Sequence, residues 1–160
     1  MKHEELVDEI CSAVRIVFDT MLAVEAETVE ASPGRQAEEP APEGVVALVG
    51  LAGEYAGTGS ISCSARLACR LCSQMLMTEY QSVNDEVLDA MGEVANMIIG
   101  NIKTNLEDRF GPMGLSTPTV IHGRDFSTRG VDTQSWTKVS FRCCGEVFVV
   151  QVCLVRAKPQ

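Results

Sequence analysis

The run NDEVLDAMGEVANMIIGNIKTNLED, Asn84 to Asp108, decides the architecture of this chain. Asn84 stands where a helix wants its N-cap, and Asp85 and Glu86 follow in the first turn, where carboxylates complement the macrodipole. With Asp89 as origin and about 100° per residue, Val87, Met91, Val94, Ile98 and Ile102 fall between about 140° and 220°. That stripe faces a core. On the same wheel Glu93 falls near about +40°, Asn96 near about −20°, Gly100 near about +20° and Lys103 near about −40°. These residues share one narrow face opposite the stripe, and Gly111-Pro112 closes the helix.

The polar face admits two readings. Asp89 and Lys103 suit an ordinary solvated surface. Asn96 fits that less well, being a middling helix former bracketed by Gly92 and Gly100, each costing about 1 kcal/mol against alanine. Two glycines on an exposed face add no packing within a domain, but they flatten a ridge so that another molecule can approach. The second reading is therefore a helix ridge shaped for a partner.

Upstream, Leu6, Val7, Ile10, Val14, Val17, Phe18 and Leu22 repeat at helical spacing and predict a helix over Glu4–Leu22. Val24 to Val29 alternates as a strand does and runs into residues 31–43, whose Pro, Glu and Ala content cannot support a core and predicts a mobile loop. Val45–Leu51 and Gly57–Cys63, around a Gly-containing turn, predict a hairpin. A helix near Ala65–Met77 follows. Beyond the long helix, Thr117–His122 predicts a strand, Gly123–Ser135 a loop, and Thr137–Arg142 with Glu146–Val155 a second hairpin whose tip is Cys143-Cys144-Gly145.

The order helix, strand, hairpin thus occurs twice, from Glu4 to Cys63 and from Asn84 to Val155, with one extra helix between. Neither half could easily bury its strands alone. The expected fold is α+β: pseudo-duplicated units forming one antiparallel-rich, six-stranded sheet covered by two long helices, all in a single domain spanning 1–160.

The chain has 160 residues, 46% of them hydrophobic, enough for one core. Its net charge is −9, and 11 acidic against 3 basic side chains in residues 1–43 account for nearly all of it. The acid therefore sits in the first helix, first strand and loop, away from the ridge. No basic run exists to neutralise phosphates along nucleic acid. No stretch approaches the roughly 20 apolar residues of a membrane span, and the charged start Met1-Lys2-His3-Glu4-Glu5 is unlike a signal peptide, so a cytoplasmic protein is expected. Seven cysteines, an odd count, argue for reduced thiols over a disulfide framework. Cys69 and Cys72 form a CxxC within an amphipathic helix, where core packing outweighs redox or metal chemistry; no metal site is expected.

Asp89-Ala90-Met91-Gly92-Glu93-Val94-Ala95-Asn96-Met97-Ile98-Ile99-Gly100-Asn101 resembles the signature of the CheC/CheX/FliY family of chemotaxis phosphatases: Asp or Ser, then Glu four residues on, Asn three further, and a proline downstream, here Pro118. Phe18-Asp19-Thr20-Met21-Leu22, Val49-Gly50-Leu51-Ala52-Gly53 before Gly57-Thr58-Gly59, and the closing hairpin are also similar in order and spacing to the CheX branch. The resemblance implies removal of the phosphoryl group from the aspartate of a CheY-like response-regulator receiver. Asn96 would orient the attacking water and Glu93 would pair with a receiver lysine. Asp89, Gly92, Gly100, Lys103 and Pro118 would shape the binding ridge. The protein would carry no cofactor of its own, and a Mg ion would sit on the receiver. In the first helix Ser12, Ile16 and Asp19 stand opposite Asp89, Glu93 and Asn96, so one site per chain is implied, in a homodimer. The alternative is a non-catalytic module that docks a receiver or a flagellar-switch component through the same ridge.

Overall fold

In a computed structural model the described residues are 2–33, 43–124 and 136–157. Three α-helices, α1 (His3–Val17), α2 (Ala65–Leu76) and α3 (Asp85–Phe110), accompany seven strands: β1 (Glu27–Pro33), β2 (Glu43–Gly53), β3 (Tyr55–Ser64), β4 (Met113–Leu115), β5 (Thr119–Arg124), β6 (Trp136–Cys143) and β7 (Glu146–Arg156). All strand pairs are antiparallel, in the order β1-β6-β7-β3-β2, with β4 and β5 sharing the outer edge of β2.

That order explains why neither half suffices alone. The first half's β1 pairs with β6 of the second, and the second half's β5 pairs with β2 of the first. Exchanging α1 with α3, β1 with β5, β2 with β6 and β3 with β7 returns the same sheet order read backwards. The two hairpins meet at β3 and β7, where Gly59 stands opposite Val152. The expected duplication is thus present as topology, with swapped outer strands. The sheet exceeds the expected six strands by β4, three residues that pair with Leu51, Ala52 and Gly53 just after α3 ends.

Alternation in the strands turns one sheet face to the helices. Val45, Ala47, Val49 and Leu51 of β2, Ile61 of β3, Val139 and Phe141 of β6, and Phe148, Val150 and Val152 of β7 are all buried. Leu6, Ile10, Ala13, Val14 and Val17 line the facing side of α1. The helix does not stop at Val17: Phe18–Leu22 continues it as a π-helical turn, which Ala23 ends with a left-handed backbone, φ 52°. Phe18 stacks on Phe148 at 5.0 Å between centroids, and Phe148 on Phe141 at 5.1 Å, locking the end of α1 to the second hairpin. At the centre the backbone of β3 approaches α3 so closely that a Cβ on Gly59 would lie 2.3 Å from Ile99 Cδ1.

Several boundaries differ from the sequence-based expectation. The first strand is Glu27–Pro33, so the first residues assigned to the loop over 31–43 are strand, with Ala31, Ser32 and Pro33 opposite Val139, Lys138 and Thr137. Val24 and Ala26, whose alternation suggested a strand start, pack against the core from the connection instead. The last residue of that loop, Glu43, begins β2, while 34–42 and most of the later loop, 125–135, lie outside the described residues. Gly123 and Arg124 belong to β5. The first hairpin closes as expected, its last pair being Leu51 with Gly57 around Ala52–Ala56; Ala52 and Gly53 pair instead with β4, and Tyr55 and Ala56 with β7. The second turns on Cys144 and Gly145, both with positive φ, 54° and 78°, as a two-residue turn of the primed kind requires.

The charge is also less remote from α3 than its sequence position suggests. Arg109 of α3 pairs with Glu5 at 3.2 Å, and Asn105 Nδ2 donates to Glu9 Oε2 at 3.0 Å, so acidic α1 runs antiparallel beside α3. Its acidic start faces the C-terminal end of α3, roughly three to five turns along the helix from Glu93 and Asp89.

Five cysteines are buried, whereas Cys11 is half-buried and Cys144 is exposed at the tip of the second hairpin. Cys69 and Cys72 are buried on the inner side of α2, and burial pushes the Cys72 thiol up to about 11. Among the described residues no three His, Cys, Asp or Glu side chains are grouped as metal ligands, and no helix is long and apolar enough to cross a membrane.

Candidate functional site

The ridge of α3 begins where expected: Asn84 Oδ1 accepts from Val87 N at 3.0 Å, and the helix then runs unbroken for 26 residues. Val87, Met91, Val94, Ile98 and Ile102 are each at most 1% exposed, so the stripe orients the helix and fixes which residues its outer face presents. Asp89 and Glu93 are exposed, and neither makes a hydrogen bond or ion pair with any described residue. Asn96 lies half-buried one turn from Glu93. Its Oδ1 is buried without a hydrogen-bond partner. A buried carbonyl left unpaired costs roughly 1–3 kcal/mol. The amide therefore owes no bond to any described residue, and rotation about its terminal torsion, broad and roughly two-fold, breaks none among them.

The glycines do different work from that expected. Gly92 is buried, and a Cβ there would lie 3.2 Å from Val120 Cγ2 and 3.4 Å from Pro118 Cγ; a Cβ on Gly100 would lie 3.4 Å from Leu115 Cδ1. Both face the β4–β5 segment of this same chain, so the reading that they flatten an exposed ridge for a partner is overturned. Helix and segment pack closely because the glycines carry no side chain. Pro118 is brought against the turn that holds Asp89 and Glu93, which joins the helical motif to its distant proline.

Sequence reasoning missed what holds Pro118 there. Ser116 N donates to Gly50 O at 2.9 Å, and Gly50 N donates to Ser116 Oγ at 2.7 Å. This two-way clamp fastens the β4–β5 connection to β2. Gly50 lies in the stretch likened to the family, but its partner is 66 residues away and no local pattern links them.

Lys103 lies apart from the other ridge residues. Its Nζ pairs with Glu107 Oε1 at 2.7 Å, and Glu107 Oε2 accepts from Met113 N at 3.2 Å, so the pair ties the end of α3 to β4. Lys103 and that backbone bond hold the Glu107 carboxyl below its usual range. With Lys103 neutralised, the ridge around Asn96 is acidic through Asp89 and Glu93.

A helix face offering an unengaged amide, two unpaired carboxylates and a packed proline can position a water and grip a cationic group. The profile of the family described as "Chemotaxis phosphatase CheX" matches residues 45–141, which span this face, its proline, the first hairpin and β6 as far as Phe141. The chain belongs to this CheX family. It is 26% identical over 125 residues, 78% of its length and 79% of the relative's, to a "CheY-P phosphatase CheX" of Thermotoga maritima. A chemotaxis protein CheX of Desulfovibrio desulfuricans is 25% identical with a TM-score of 0.81, over 94% of this chain and 99% of that one. CheX in the CheX-CheY-BeF3-Mg+2 complex of Borrelia burgdorferi is 25% identical with a TM-score of 0.73, over 92% and 96%. The α+β, CheC-like fold expected from the sequence is the fold of these relatives.

Proposed function

We propose that this chain dephosphorylates the phospho-aspartate of a CheY-like receiver, with Asn96 orienting the attacking water and Glu93 fixing the docking angle. The observation that carries the reading is the Asn96 amide, held half-buried on a long helix with no partner among the described residues, beside a Glu93 carboxylate that also has none among them. In the reaction a water oxygen attacks phosphorus, the acyl P–O bond breaks, the aspartate leaves as carboxylate, and inorganic phosphate is released. The receiver's Mg ion, named with CheY in the Borrelia complex, would supply charge neutralisation on the phosphoryl oxygens.

What remains for this chain is geometry. A carboxamide both donates and accepts, so it fixes a water in two directions, and it has no pKa with which to act as a base. Ordering that water is worth on the order of 2–4 kcal/mol, a hundredfold or more in rate. Glu93, one turn away, suits a lysine of the receiver through a charge-assisted bond. Asp89 extends the acidic ridge, while Gly92, Gly100 and Pro118 set its shape from within.

The test follows phosphate loss from a phosphorylated receiver. Asn96→Ala is expected to keep binding and lose about a hundredfold of the acceleration, whereas Glu93→Ala raises the receiver concentration needed for half-maximal rate. If wild type binds the phosphorylated receiver and leaves its lifetime unchanged, the chain is a docking module and the catalytic reading fails.

The proposal extends to a cytoplasmic homodimer. Among the described residues β1 and β5 are the outer strands of the sheet, each paired on one side only, and such edges are ready templates for a second copy. Light scattering after size exclusion checks this; a monomer mass at micromolar concentration refutes it.

A further inference from the structure

A second concave site lies away from the α3 ridge, between α2 and the segment Glu79–Val83, with a volume of about 510 Å³. That is within the range of small-molecule sites. Arg66 and Arg70 line it one turn apart, with Gln74 one turn further on, so three long polar side chains follow one edge of the helix. Both arginines are exposed, and neither forms an ion pair or hydrogen bond with any described residue.

The two acidic side chains in the lining each already hold a hydrogen bond. Glu43 Oε1 lies 2.7 Å from His122 Nε2, and Glu79 Oε1 accepts from Gln81 Nε2 at 2.7 Å. Arg66 and Arg70 are the charged groups of the lining that make no hydrogen bond or ion pair with a described residue. Below them, Ala65 and Cys69 are buried and Val83 and Tyr80 half-buried, an apolar floor beside a cationic rim. The far wall is held in place: Ser73 Oγ accepts from Tyr80 N at 3.1 Å, and the Tyr80 hydroxyl donates to Glu86 in the first turn of α3.

The geometry points to a binding site for a phosphate-bearing organic molecule of about nucleotide size, its phosphates on Arg66 and Arg70 and its organic part over the Tyr80–Val83 wall. Paired guanidiniums present forked donors that match phosphate oxygens, and a dianion answers both charges. The floor gives the organic part apolar surface to cover. The site is independent of the phosphatase reading, since no ridge residue lines it.

The experiment titrates the full chain with ADP and, separately, with inorganic pyrophosphate at about 0.15 M salt, following backbone amide shifts by NMR and heat by calorimetry. ADP is expected to bind saturably with a Kd near or below about 1 mM, more tightly than pyrophosphate, and to shift the amides of Ser73, Gln74 and Ser82. Arg66→Gln with Arg70→Gln should weaken it at least about tenfold with an unchanged circular dichroism spectrum, while Arg15→Gln on α1 leaves it unaltered. The inference is overturned by the absence of saturable ADP binding, by pyrophosphate binding as tightly as ADP, or by equal losses in the α1 control. Shifts that map away from α2 and the 79–83 wall overturn it as well.

Discussion

Asn96 is the residue at which function and stability pull apart. Its amide oxygen has no partner among the described residues and asparagine is a mediocre helix former, so Asn96→Ala should raise the unfolding midpoint in urea, equivalent to about 1 kcal/mol, while removing the catalytic acceleration. A drop in stability would mean that the amide serves the fold. The glycines separate in the same way. Gly100→Ala meets only Leu115 at ordinary contact distance and should gain up to about 1 kcal/mol from helix propensity, with receiver binding unchanged. At Gly92 the same change must push Val120 or Pro118 aside, so most of that gain is absorbed there. The sequence marked all three positions as unusual. It could not show that the glycines answer to Leu115, Pro118 and Val120, because those contacts cross a chain reversal.

At the scale of elements, the join between α3 and β4 depends on one carboxylate. Glu107 accepts from Lys103 and from Met113 N, and these bonds lower its pKa from the ordinary 4.5. A depressed carboxyl stabilises the folded state above its unfolded pKa and loses that contribution as pH falls through the folded value. The urea midpoint should therefore decline as pH drops below about 4.5. Glu107→Gln should begin lower at pH 7 and decline less over the same interval. Equal slopes in the two proteins would remove Glu107 from the account. β4 itself was not legible, since three residues after a helix stop carry too little pattern to mark a strand, and only pairing with Leu51–Gly53 defines it. Likewise the last turn of the first helix has helical periodicity throughout, yet packing of Phe18 on Phe148 accompanies a π-helical turn there.

For the whole molecule, the exchange of outer strands makes the two halves interdependent. A fragment ending at Val83 lacks β6 for its β1, and one beginning at Asn84 lacks β2 for its β5. Each should be unfolded alone by circular dichroism, and mixing them should restore structure; a cooperatively folded single fragment would contradict the pairing. By itself the sequence determined the faces of α3, both hairpins, the repeated order of elements and the Glu93–Asn96–Pro118 pattern, because period 3.6 and period 2 state which side of an element is buried. Periodicity does not state what covers that side. Which strand pairs with which, the clamp of Ser116 on Gly50, the burial of Gly92, the unpartnered amide of Asn96 and the cleft beside α2 were decided only by tertiary packing, where residues far apart in the chain compete for the same space.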